Sequence, residues 1–231
     1  MSAAHRHSLG HEHEFEPVHG LPEVPPEGER ILWQGTPDWR ALAIRAFHVR
    51  KLVIYFALML ALRGAVVLGD GGSLAQAGRA VVQLLPLAVL GVALPAVLAW
   101  LSARTTAYTL TNRRVVMRIG IVLTLTFNLP YRRIAAADLS KAPRGSSDIA
   151  LALNPAGSER IGWMQLWPHA RPWRFAAPQP MLRCVPQGEA VAALLAQAWS
   201  EATGQDVQPT IAPERIPARA GAALPDAIGA H

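Results

Sequence analysis

Two groups of residues have side chains able to do chemistry: a histidine cluster at the start of the chain and an arginine cluster in its middle. His5, His7, His11, His13 and His19 fall within the first 25 residues, and imidazoles gathered in a short tract can hold a transition metal. The run GHEHEF (10–15) superficially resembles a metalloprotease motif. That motif needs two histidines four apart on one helix face, whereas His11 and His13 are two apart in a polar stretch. A flexible His-rich tail without a metal is the expectation. The lone Cys184 can form no intramolecular disulfide and suits a buried thiol. DGG (70–72) lacks the Lys-Ser/Thr of a phosphate loop, and no G-x-S-x-G elbow occurs. No catalytic residue, cofactor or metal is expected, and the protein is read as a non-enzyme.

The second group is Arg113, Arg114, Arg118, Arg132 and Arg133. A guanidinium presents a planar fork of donors to phosphate or carboxylate, so such a group can grip lipid headgroups or the acidic face of a partner. The net charge is +6, which alone could also mean nucleic acid. Composition points elsewhere: 51% of residues are hydrophobic and 16% charged, against roughly 25% charged in a soluble domain. Anionic lipid and membrane partners are expected, and nucleic acid is not. Trp33, Trp39 and Arg40 join the arginines as candidate contacts, because indoles and guanidinium groups favour a membrane–water interface.

These residues must be positioned by apolar elements. Residues 80–101 (AVVQLLPLAVLGVALPAVLAWL) hold 22 residues and no charge. A helix of that length covers about 33 Å, enough for a hydrocarbon layer of about 30 Å. The earlier run 52–68 (LVIYFALMLALRGAVVL) carries Arg63 toward its far end, from where it can snorkel. The Gly-rich stretch 69–79 joins the two into a hairpin. Arg40, Arg45, Arg50 and Lys51 precede the first run, and Arg104, Arg113, Arg114 and Arg118 follow the second. The positive-inside rule then puts both termini in the cytoplasm. No cleavable signal opens the chain, which agrees with that orientation. Residues 38–51 predict one interfacial helix with Asp38 as its N-cap and Trp39, Leu42, Ala46 and Phe47 on one face. His48 reads as an interfacial polar residue of that helix rather than a ligand.

After Leu101 the period changes to two. Tyr108 and Leu110 alternate with threonines, TNRR (111–114) forms a turn, and Val115, Met117 and Ile119 share one face. Leu123, Leu125, Phe127 and Leu129 alternate over 123–130, and further strands are predicted at 148–154, 160–165 and 181–185. Val191, Leu194, Leu195, Ala198 and Trp199 mark a closing helix, ended by Gly204. Residues 102–203 carry 12 Lys/Arg against 5 Asp/Glu. The expected division is a His-rich tail (1–25), a cytoplasmic segment with an interfacial helix (26–51), a transmembrane helical hairpin (52–101), a cytoplasmic β-rich domain (102–203) and a disordered Pro/Ala-rich tail (204–231).

TAYTLTNRRVVMRIGI (106–121), LTFNLPYRRIAAADL (125–139) and PEGERILWQGTPDWR (26–40) resemble the bacterial pleckstrin-homology (PH)-like domains carried by small membrane proteins. FEPVHGLPE (15–23), ILWQGTPDWRALAIRAFHVRK (31–51) and RCVPQGEAVAALLAQA (183–198) look like the photosynthetic complex assembly proteins of purple bacteria. The likeness covers about residues 14–203. It implies an α+β membrane protein, with a PH-like antiparallel β-barrel capped by a C-terminal helix. It further implies a dimer in the bacterial inner (intracytoplasmic) membrane. That dimer would be a non-enzymatic assembly factor whose partners are subunits of the reaction centre and light-harvesting complex 1. A general anionic-lipid-binding scaffold and a resident subunit of the core complex are the alternatives. The likeness supplies no catalytic residue, and a bacteriochlorophyll contact has no residue pattern behind it.

Overall fold

A computed structural model describes residue 21 and residues 25–154, 161–204 and 210–211. The His-rich tail, apart from Leu21 and Pro25, lies outside the described residues. So does the C-terminal tail beyond Gly204, apart from Thr210 and Ile211.

Among the described residues the first strand is β1 (Ile31–Gly35), followed by helix α1 (Trp39–Arg45). Two long antiparallel helices follow, α2 (Val49–Gly69) and α3 (Leu74–Thr105). Both are long and apolar enough to cross a membrane. The turn between them is set by a capping box at Ser73, whose hydroxyl accepts from the Gln76 N–H while Gln76 Oε1 accepts from the Ser73 N–H at 2.7 Å. Phe56 of α2 lies where Gly91 of α3 leaves room, since a Cβ there would come within 2.6 Å of its ring. Small residues let two helices approach in this way.

Strands β2 (Ala107–Thr111), β3 (Arg114–Ile119) and β4 (Leu125–Pro130) continue directly from α3. They form an antiparallel sheet in the order β1-β2-β3-β4. A second sheet, β7-β6-β5-β8, contains β5 (Ile134–Lys141), β6 (Ser146–Leu153), β7 (Met181–Pro186) and the two-residue β8 (Thr210–Ile211). Helix α5 (Gly188–Thr203) closes the core, adding Val191, Leu195 and Trp199 to the buried cluster that holds Tyr108, Leu110, Met117, Ile149 and Leu182. Gly204 ends it in the left-handed region, at φ 69°.

Four expectations are corrected. The two sheets do not close into a barrel. Residues 38–51 are two helices, broken where His48 takes a left-handed conformation (φ 54°). The predicted strand at 160–165 is instead the short helix α4 (Trp163–Leu166), as far as it lies within the described residues. Thr210 and Ile211 of the expected loose tail pair in parallel with Asp138 and Leu139. Strand β5 went unread because IAAADLSK offers small side chains and no bulky period.

The sheet register fixes which residues share an end. Gly35 pairs with Tyr108 and Ala107 with Arg118, so this end lies where α3 hands over to the sheet. Ile31 pairs with Thr111 and Arg114 with Pro130, which puts the TNRR turn at the opposite end. The helical hairpin is therefore an insertion between the first two strands of the domain.

Candidate functional site

At the turn end, the segment before β1 clasps the TNRR turn. The Asn112 side chain accepts from the Arg30 N–H at 2.8 Å and donates to the Gly28 carbonyl at 2.9 Å. Arg114 Nε donates to Glu29 Oε1 at 2.7 Å. Thr111 Oγ1 accepts from the Arg113 and Arg114 N–H groups, which shapes the turn. The Tyr131 hydroxyl donates to the Thr111 carbonyl at 2.6 Å, and burial raises its pKa well above the usual range. What remains on the outside is basic: Arg30, Arg113 and Arg132 are exposed, with Arg133 half-buried beside them.

The α3 end is arranged differently. Asp38 caps α1 by accepting from Arg40 N–H at 2.8 Å, and its other oxygen takes Arg144 at 3.2 Å. Arg45 reaches across to Asp148, only 2% exposed, whose second oxygen accepts from the Cys184 N–H. Leu42 and Ala41 of α1 pack on Ala103 and Cys184, so α1 is bolted to the domain rather than lying free. Burial and the neighbouring Asp148 carboxylate push the Cys184 thiol up to about 12. Trp39 and Arg40 stay exposed, the guanidinium 5.3 Å above the indole. Arg104 sits over Trp100 in the same way, at 5.1 Å.

Beneath the α3 end lies a buried polar chain that no sequence spacing announces. The Tyr108 hydroxyl accepts from the Arg183 N–H at 3.1 Å and so directs its proton to His169 Nδ1 at 2.7 Å. Nε2 then carries the ring proton and donates to Thr106 Oγ1 at 3.1 Å, with Ser102 Oγ at 3.4 Å. Burial, aided by the Arg183 charge, lowers the His169 pKa to about 3. Burial raises that of Tyr108. This relay, with a neutral His169 at its centre, holds the loop before β7 to the last turn of α3. All its members are buried, so it offers no face to a substrate.

The eight candidate contacts thus do not form one surface. Trp39, Arg40 and the half-buried Arg118 lie at the α3 end. Arg113, Arg132 and Arg133 lie at the turn end. Two are half-buried and engaged by the domain itself: Trp33 packs on the main core, and Arg114 is held by Glu29. Among the described residues no cluster of His, Cys, Asp or Glu is arranged to hold a metal. The histidines of the expected tail lie outside those residues.

A protein of Rhodobacter capsulatus described as "Uncharacterized 23.7 kDa protein in puhA 5'region" is 38% identical over 214 residues, which cover 93% of this chain and 97% of that protein. No solved structure matches. The model of the bacterial PH domain family matches residues 53–199, from within α2 to Trp199 of α5. Two sheets, a closing helix and that match over more than half the chain make this protein a member of the bacterial PH domain family.

Proposed function

We propose that this chain is a non-enzymatic assembly factor for the reaction centre–light-harvesting 1 core complex of a purple bacterium. The α2–α3 hairpin crosses the inner membrane, and the PH-like domain sits on its cytoplasmic face. The observation that carries the reading is the R. capsulatus relative, alike over nearly its whole length and described by its place in the puhA 5′ region, a photosynthesis-related context. The fold supports a binding role. The α3 end is built of Trp–Arg pairs suited to lipid headgroups. The turn end presents exposed Arg30, Arg113 and Arg132 away from that level, where an acidic protein face can meet them. Reaction-centre and light-harvesting 1 subunits are the partners, with anionic lipid beneath, and the protein works as a homodimer.

Deleting the gene in its phototrophic host is expected to lower the amount of assembled core complex while its subunit transcripts stay level. Unchanged complex in that strain overturns the proposal.

A general lipid-binding scaffold is the second reading, favoured by the net positive charge of the domain. It predicts that binding of the exposed domain to anionic vesicles falls on Arg113→Ala with Arg132→Ala, and that core complex in the deletion strain is unaffected.

A further inference from the structure

The apolar alternation of β4 does not stop where the sheet stops. Leu129 is buried and Phe127 half-buried, but the pattern runs on through Leu125 and Leu123 into a turn with nothing over it. Val122 is 90% exposed and Leu123 80%, with Ile121 exposed beside them. Water is a poor solvent for three consecutive branched side chains at a turn tip.

The turn itself is well specified. Gly120 has φ +124°, and a Cβ there would meet the Leu123 carbonyl oxygen at 2.0 Å. Only glycine allows this fold-back. Its position is also fixed. Arg118 pairs with Ala107, two residues after the last residue of α3, and Ile119 with Leu125. The tip beyond them therefore lies at the α3 end of the sheet. Trp100 and Arg104 mark the same level on α3. A second apolar group lies at that end. Trp167, 45% exposed, stands edge-on to Phe47 at 5.3 Å, just before α2 begins. His169, two residues on, is tied to Ser102 and Thr106 of α3.

We propose that the β3–β4 tip, Ile121–Val122–Leu123, is a membrane wedge that inserts into the headgroup–acyl boundary beside α3, with Trp167 as a second foothold. The occupant of this apolar surface is the bilayer, because the tip is continuous with the level at which α2 and α3 meet the sheet. The inference rests on the reading of α2–α3 as a membrane hairpin. It adds that the domain is held flat against the bilayer and cannot swing on a flexible neck. Moving apolar side chains out of water into that boundary is favourable.

The full chain carries one native thiol, Cys184, which is buried and resists labelling at neutral pH. Single cysteines at Val122→Cys, Leu90→Cys and Gln197→Cys would carry an environment-sensitive NBD label. The proteins would be reconstituted in phosphatidylcholine–phosphatidylglycerol vesicles with lipids brominated near the headgroup or near the acyl-chain centre. The expected result has three parts. Label at Leu90 is quenched by the deep bromines. Label at Val122 is blue-shifted, quenched by the shallow bromines and shielded from aqueous iodide. Label at Gln197, on the exposed side of α5, responds only to iodide. If Leu90 is quenched but Val122 stays open to iodide, the wedge is overturned and the hairpin anchor stands. If Val122 is shielded from iodide yet untouched by bromines, a protein covers the tip and the wedge is overturned. If Leu90 is unquenched, the anchor reading fails and the wedge fails with it.

Discussion

The Arg114 guanidinium lies 2.7 Å from a Glu29 carboxylate almost wholly shielded from water, while the side chain of Arg113, one residue earlier, faces solvent. Removing one partner of a shielded ion pair leaves the other charge uncompensated and costs about 3 kcal/mol or more. Arg114→Ala should therefore lower the unfolding midpoint of the detergent-solubilised protein markedly. Arg113→Ala should stay within about 0.5 kcal/mol of the parent. Equal effects in chemical denaturation would contradict the clasp. His169 makes a second residue-level prediction. Its folded pKa of about 3 lies below the unfolded value of 6.5, so between these pH values the unfolded chain binds a proton that the folded one refuses. Stability from this group is full above the unfolded pKa and falls as the pH drops below it. From pH 7 to pH 5 the parent should lose about 2 kcal/mol more than His169→Gln, read as the difference in denaturant midpoints. The TNRR turn was readable in the sequence because turn residues announce themselves. The His169 relay was not, because its partners Ser102, Thr106 and Tyr108 stand more than sixty residues away.

Elements were legible wherever their own side chains decide their state. Runs of apolar residues as long as those in α2 and α3 leave little choice of conformation, and the i, i+3, i+4 stripe of α5 needs a core to cover it. The break at His48 was illegible because nothing local demands a left-handed residue there. It follows from α1 being drawn onto Ala103 and Cys184 while Arg45 reaches Asp148. The alternation in 123–130 is a strand only over Leu125–Pro130. Leu123 and Thr124 fall in the turn before it, because β3 ends at Ile119, which pairs with Leu125, and leaves them no strand partner. Within the helical hairpin, the Phe56–Gly91 contact sets how close α2 and α3 approach. Gly91→Leu should force the ring aside at a cost of about 1–3 kcal/mol. Phe56→Ala in the same chain should restore part of the loss, because it removes the group in the way. Additive destabilisation of the double variant in thermal unfolding would show that the two residues do not meet.

Strand order, rather than any single residue, sets the architecture of the whole molecule. β1 precedes the helical hairpin and β2 follows it, yet they pair from Ile31–Thr111 to Gly35–Tyr108. A sequence reading that divides the chain at residue 102 places ILWQG outside the domain, because strand partners more than seventy residues apart share no local signal. The consequence is kinetic as well as structural. β1 cannot take its place at the edge of the first sheet until both long helices and β2 have been made, and such non-local pairs are slow to close. It also ties the two ends of the hairpin together through hydrogen bonds, among them Gln34 Nε2 to Thr109 Oγ1 at 3.0 Å. Trp33, seated against the main core, adds apolar burial to that tie. A chain beginning at Asp38 keeps α1, both long helices and all other strands, and loses only what precedes them. Its helices should still partition with the membrane fraction. Its domain should be opened by trypsin at Arg113 and Arg114, in the turn that the segment before β1 clasps in the full chain. Equal resistance of the two proteins under the same digestion would mean that β1 is an accessory edge, and that the domain is complete in residues 102–203 after all.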